Sequence, residues 1–112
     1  MDITEDKRGD ALLLEIKGRL DASTAHKLEE KLLVSIDGGE RRLALDCSQL
    51  DYISSAGLRV LLLAVKRLSG SNGKIVLYAL KDQVKEVFDI AGFSSLFPSF
   101  TNREEALRSL AQ

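Results

Sequence analysis

Apolar and polar positions change their spacing several times along this chain, and each change marks an element. Ala11-Leu12-Leu13-Leu14-Glu15-Ile16-Lys17 reads as a strand. Ile3 to Arg8 is a candidate edge partner, joined to it by a hairpin turn at Gly9-Asp10. Gly18-Arg19-Leu20-Asp21 breaks the pattern. From about Ser23 to Ile36 the apolar residues Ala25, Leu28, Leu32, Leu33 and Ile36 recur at helical spacing. Asp21, Ser23 or Thr24 can cap that helix, and Gly38-Gly39 ends it.

Arg42-Leu43-Ala44-Leu45-Asp46-Cys47 is apolar on both sides at its centre, as expected of a buried strand in a parallel sheet. A second helix is predicted from about Ser55 to Leu68, a third buried strand at Lys74 to Ala79, and a third helix from about Gln83 to Ala91. Phe97-Pro98-Ser99-Phe100 is a short extended segment whose proline suggests an edge. Thr101-Asn102-Arg103-Glu104 has the form of a capping box and opens a last helix, docked by Leu107 and Leu110. Strand and helix alternate from residue 11 onward. This predicts an α/β fold in one domain, 1–112, with a mostly parallel central sheet, an antiparallel edge strand and about four helices.

Composition narrows the function. An apolar fraction of 45% over 112 residues suits one ordinary core. Sixteen Lys and Arg face seventeen Asp and Glu, so no long-range field draws nucleic acid. The longest apolar run, Val60 to Val65, is far below the ~20 residues of a membrane span, so no membrane insertion is expected. The acidic N-terminus resembles neither a signal nor a transit peptide, and a cytoplasmic location follows as the expectation. A single cysteine, Cys47, excludes an internal disulfide and reads as a small buried apolar residue.

Chemistry concentrates at Tyr52-Ile53-Ser54-Ser55-Ala56-Gly57-Leu58-Arg59, where a short strand is expected to give way to a helix. A helix start leaves backbone N–H groups unpaired and carries partial positive charge. This one has no acidic residue in its first turn and an arginine just beyond. Gly57 is expected to leave the backbone open to approach from outside. A phosphate on a serine here would meet backbone amides and Arg59. The alternative is that both serines only cap the helix. Further along, Leu58, Leu61, Leu62, Val65 and Leu68 form the expected core stripe. Val60 and Leu63 lie off it beside Arg59, Lys66 and Arg67, which makes either a protein-binding face or a seat for a neighbouring helix.

Taken together, the chain resembles a STAS domain and, within that group, an anti-sigma factor antagonist. The resemblance covers roughly residues 10 to 110. It rests on Gly18-Arg19-Leu20-Asp21, Leu43-Ala44-Leu45-Asp46-Cys47-Ser48, Tyr52 to Leu58, Gly73-Lys74-Ile75-Val76-Leu77, the Val84 to Gly92 helix and Leu96-Phe97. The family pattern at the turn is Asp-Ser-Ser/Thr-Gly-Leu, with the first serine phosphorylated. Aligned on Gly57-Leu58, the acceptor falls on Ser55, the aspartate on Ser54 and the second hydroxyl residue on Ala56. Ser54 is the alternate acceptor.

The resemblance implies a partner-switching protein and no cofactor. Unphosphorylated, it binds an anti-sigma factor serine kinase. Phosphorylated by that kinase with ATP, it lets go, and a serine phosphatase resets it. Asp21, Ser54, Ser55, Ala56, Gly57, Arg59, Val60, Leu63, Lys66 and Arg67 are the expected contact residues. Asp21 and Asp46 match family acidic positions near the same end of the sheet that could orient the serine loop or meet the partner; their other readings are a helix cap for Asp21 and a loop former at a strand end for Asp46. The alternative function is a non-switching STAS scaffold subunit of a stress-signalling or transport-associated complex.

Enzyme chemistry finds no support. The only histidine, His26, falls on the first predicted helix, and no nucleophile elbow, phosphate-cradling glycine loop or metal-ligand cluster is present. Tyr52, Tyr78 and four phenylalanines are too scattered for a base-stacking platform.

Overall fold

A computed structural model of the chain describes residues 1–111. Strand β1 (Asp2–Arg8) folds back on β2 (Ala11–Leu20) through the Gly9-Asp10 turn, with Arg8 opposite Ala11 and Asp2 opposite Lys17. Helix α1 (Ala25–Asp37) leads to β3 (Arg42–Asp46), which pairs in parallel with β2 from Ala11↔Arg42 to Glu15↔Asp46. A short strand, β4 (Leu50–Ile53), precedes helix α2 (Ser55–Ser69). Then come β5 (Lys74–Tyr78), α3 (Asp82–Ile90), β6 (Ser99–Phe100) and α4 (Arg103–Leu110). The sheet runs β1-β2-β3-β5-β6, with β4 paired to β2; only the β1–β2 pair is antiparallel.

Alternation along the strands divides the core in two. Leu12, Leu14, Ile16, Leu43, Leu45, Cys47, Ile75 and Leu77 pack with residues of α1, α2 and α3. Ala11, Leu13, Ala44, Val76 and Tyr78 pack with Ala106 and Leu110 of α4. Burial of each such aliphatic side chain contributes about 1.5–3 kcal/mol. Ion pairs such as Arg67–Asp37, at 3.0 Å and exposed, contribute at most about 1 kcal/mol each. Apolar packing therefore decides the fold.

Three elements depart from the expectation. First, β2 does not stop at Lys17 but runs to Leu20. Gly18 has φ +109°, the pairing register shifts between Gly18 and Arg19, and the last three residues of β2 pair in parallel with β4. A residue with a side chain is strained at that φ, so the glycine lets one strand bend and serve a second neighbour. Second, α4 is capped by Asn102, whose side chain accepts the Glu105 N–H at 3.0 Å; Thr101 and Glu104 do not form the box. Third, α2 buries Gly57, Leu58, Val60, Leu61, Ala64 and Leu68, while Leu62, Leu63 and Val65 are only half-buried. The buried face is centred away from the expected stripe, and α2 packs against α1, to which Arg67 is paired through Asp37.

Candidate functional site

The serine turn stands where β4 ends and α2 begins, next to the carboxyl end of β2. The Ser54 N–H donates to the Leu20 carbonyl at 2.9 Å, tying the turn to the end of β2. Ser54 is extended, with φ −100° and ψ 176°, and its hydroxyl oxygen accepts the Gly57 N–H at 3.4 Å. Its carbonyl takes the Leu58 N–H at 3.0 Å. Ser54 is thus the N-cap, committed to the backbone on both sides. Ser55 is the first helical residue and is exposed. The two serines divide the roles that the sequence left shared.

Gly57 does not do what its position suggested. A Cβ added there would lie 2.7 Å from Leu20 Cγ and 2.9 Å from Ile53 Cγ1. The glycine faces inward and lets the first turn of α2 sit directly on two core side chains; it does not open the backbone to the outside. Val60 is likewise corrected: at 6% exposed it belongs to the hydrophobic core and not to the expected contact face. Arg59 and Lys66 are exposed, Leu63 and Ala56 are half-buried, and Arg67 is exposed but paired with Asp37 of α1. Ser55, Arg59, Leu63 and Lys66 follow one another along a single helix face at separations of three and four residues.

Asp21 lies just past the end of β2 and holds the entry to α1. Its carboxylate accepts from the Ser23 N–H at 3.0 Å and the Ser23 hydroxyl at 2.7 Å, and its carbonyl accepts the Ala25 N–H at 2.8 Å. The Ser23 hydroxyl bond is the main reason its carboxyl stays below the ordinary value of 3.8. Thr24 completes the corner: its hydroxyl donates to the Arg19 carbonyl at 2.8 Å and accepts the Asp21 N–H at 2.9 Å.

Asp46 does not join this site. It alternates with Leu45 and Cys47, so it faces the α4 side of the sheet, opposite Tyr78 in the β3–β5 register. Its carboxylate accepts the Ser48 N–H at 3.0 Å, and its charge acts on Tyr78 and Arg103. Burial foremost pushes the Tyr78 phenol up. The loop-forming reading of Asp46 fits; orientation of the serine turn does not, because α2 packs on the other face. Cys47 is buried and its thiol is pushed up to about 12, by burial first and by Asp46 second.

One pair at this corner escaped the sequence reading. The Arg19 guanidinium lies 4.2 Å from the centroid of the Tyr52 ring, and the two residues are register partners in the β2–β4 ladder. The short strand before the turn had no partner legible in the sequence, and its pairing with the end of β2 is what brings them together. His26 is exposed on α1. Among the described residues no group of three His, Cys, Asp or Glu could hold a metal, and no helix is long and apolar enough to cross a membrane.

A mixed, mostly parallel sheet with a capped serine turn at the carboxyl ends of its strands defines the class: an α/β domain presenting an exposed hydroxyl at a helix start. The chain belongs to the STAS domain family, whose model matches residues 2–106. It is 47% identical over 106 residues to a Bordetella bronchiseptica protein named as an anti-sigma factor antagonist, BtrV, spanning 95% of this chain and 91% of that one. It is 30% identical over 92 residues to the anti-sigma-B factor antagonist of Listeria monocytogenes, spanning 82% of this chain and 81% of the relative. Among solved structures, an anti-sigma factor antagonist from Thermotoga maritima superposes with a TM-score of 0.93 at 19% identity, covering 98% of this chain and 95% of that one. That last likeness is one of fold.

Proposed function

We propose that this protein is a phosphorylation-switched anti-sigma factor antagonist and not an enzyme. Unphosphorylated, it sequesters an anti-sigma factor serine kinase in the cytoplasm. Phosphorylated on Ser55, it releases that kinase, and a serine phosphatase restores the binding form. The names of its relatives support the antagonist role. The observation that carries the switch is the division of labour at the turn: Ser54 is occupied as the cap, while Ser55 is exposed one residue later.

A phosphoserine carries about −1.5 to −2 charges at neutral pH. On Ser55 it would stand at the positive end of α2, whose first turn holds no acidic residue, with Arg59 one turn along. The modified protein is therefore stable as it is. The cost falls on the complex, where a hydrated dianion must be buried against a surface fitted to a hydroxyl. By analogy with unpaired interfacial charges this is on the order of 2–5 kcal/mol, enough to empty a micromolar complex.

The test is incubation with the cognate kinase and ATP, followed by mass mapping. Phosphate on Ser55 is expected. Ser55→Ala should stay bound to the kinase, and Ser55→Asp should bind weakly. An active kinase that leaves Ser55 unmodified, or two variants that bind like the parent, overturns the switch.

A further inference from the structure

Four large apolar side chains are exposed among the described residues: Val34, Tyr52, Ile90 and Leu96. Tyr52 differs from the others because something holds it. Arg19 lies across one face of its ring at 4.2 Å, and Asp21 sits 3.8 Å from the Arg19 Nε. Yet the pair is not core. The Tyr52 residue is 39% exposed and the Arg19 side chain 63%. The residues that follow them in each strand, Leu20 and Ile53, turn inward and form the seat of Gly57. The pair is therefore fixed to the serine turn by two strands and a hydrogen bond, on the outer side of the same corner.

We propose that the stacked Arg19–Tyr52 pair is a recognition anchor for the kinase, engaging a partner surface that presents a carboxylate beside an apolar side chain. This rests on the partner-switching reading above. Tyrosine and arginine are enriched among the residues that dominate binding energy at interfaces. A guanidinium stacked on a ring keeps its N–H edge directed outward, where a carboxylate can take two parallel hydrogen bonds. The ring and the guanidinium already hold each other, so less side-chain freedom is lost on binding than for two loose residues. Neither residue of the anchor is itself the site of modification. The anchor determines which partner is recognised, while the serine determines when that partner is held.

The experiment is titration calorimetry with the purified cognate anti-sigma factor serine kinase, on unphosphorylated protein. Tyr52→Ala and Arg19→Glu should each weaken binding roughly tenfold or more. Tyr52→Phe should bind within about twofold of the parent, because the ring and its cation contact survive. Thermal melts of the same samples separate lost binding from lost folding. If Tyr52→Ala and Arg19→Glu bind like the parent, or if Tyr52→Phe loses as much as Tyr52→Ala, the anchor is overturned while the switch stands. A parent protein that does not bind the kinase overturns both.

Discussion

Gly57 shows how far a single missing side chain reaches. Two opposed effects follow from Gly57→Ala. Alanine favours a helix over glycine by about 0.8–1.0 kcal/mol. The added methyl group, however, must displace Leu20 and Ile53, which are 0% and 1% exposed within the core. Overpacking of this kind costs about 1–3 kcal/mol. Contacts of 2.7–2.9 Å to two buried side chains put the cost in the upper part of that range, so Gly57→Ala should lower unfolding free energy by up to about 2 kcal/mol net and melt below the parent. Chemical and thermal denaturation measure this. A melting point at or above the parent's would mean that the turn can lift off its seat. The sequence marked Gly57 as special for the wrong reason: spacing placed it at a helix start but could not say which way it faced. Only the end of β2, curling round to supply Leu20, decides that.

At the scale of elements, α2 is the helix that would carry the proposed switch, and the two serines at its start contribute differently to its stability. Ser54→Ala removes the only side-chain cap on the helix and should cost about 1 kcal/mol. Ser55→Ala removes an exposed hydroxyl at a helical position where alanine is favoured, and should leave stability unchanged or slightly raised. Denaturant melts of the two variants side by side give the comparison; equal losses would show that both hydroxyls serve as caps. Most of the elements were legible from periodicity. The Gly9-Asp10 hairpin, the buried strands β3 and β5 and the four helices stand where the pattern placed them, within a residue or two. The partner of β4 was not. The strand has four residues, and its two middle ones, Asp51 and Tyr52, are both exposed, so no alternation says where it pairs. The side of α2 that faces the core was also hidden. Leu58, Val60, Leu61, Leu62, Leu63, Ala64 and Val65 surround most of the helix, and periodicity cannot choose a centre in a nearly continuous apolar run. The neighbour α1 bears on that choice, and Val60 is buried while Leu63 is only half-buried.

For the whole molecule, the two-sided sheet separates the serine turn from the ionisable groups gathered on the other face. Ser55 belongs to the helices packed on one side, whereas Asp46, Tyr78 and Arg103 gather on the α4 side. Global stability should report the buried thiol at alkaline pH. The Cys47 thiol moves from an ordinary 9.0 to about 12 on folding. Between those values the unfolded chain has released a proton that the folded one keeps, so stability falls as pH rises. The limiting slope is about 1.4 kcal/mol per pH unit. The raised Tyr78 phenol acts in the same direction above its ordinary 10.0. Melting temperatures between pH 8 and 11 should therefore decline more steeply for the parent than for Cys47→Ala, in which only the tyrosine's share remains. Equal slopes would mean that the thiol ionises as readily folded as unfolded.

That same burial gives the molecule an empty register for outside reporters. The chain has one cysteine, and it is sealed inside. An Arg108→Cys substitution on the exposed side of α4 would create the lone reactive thiol. A fluorophore attached there would ride on the face of the sheet turned away from Ser55. Capture and release of a partner could then be followed in real time, by a dye that takes no part in either.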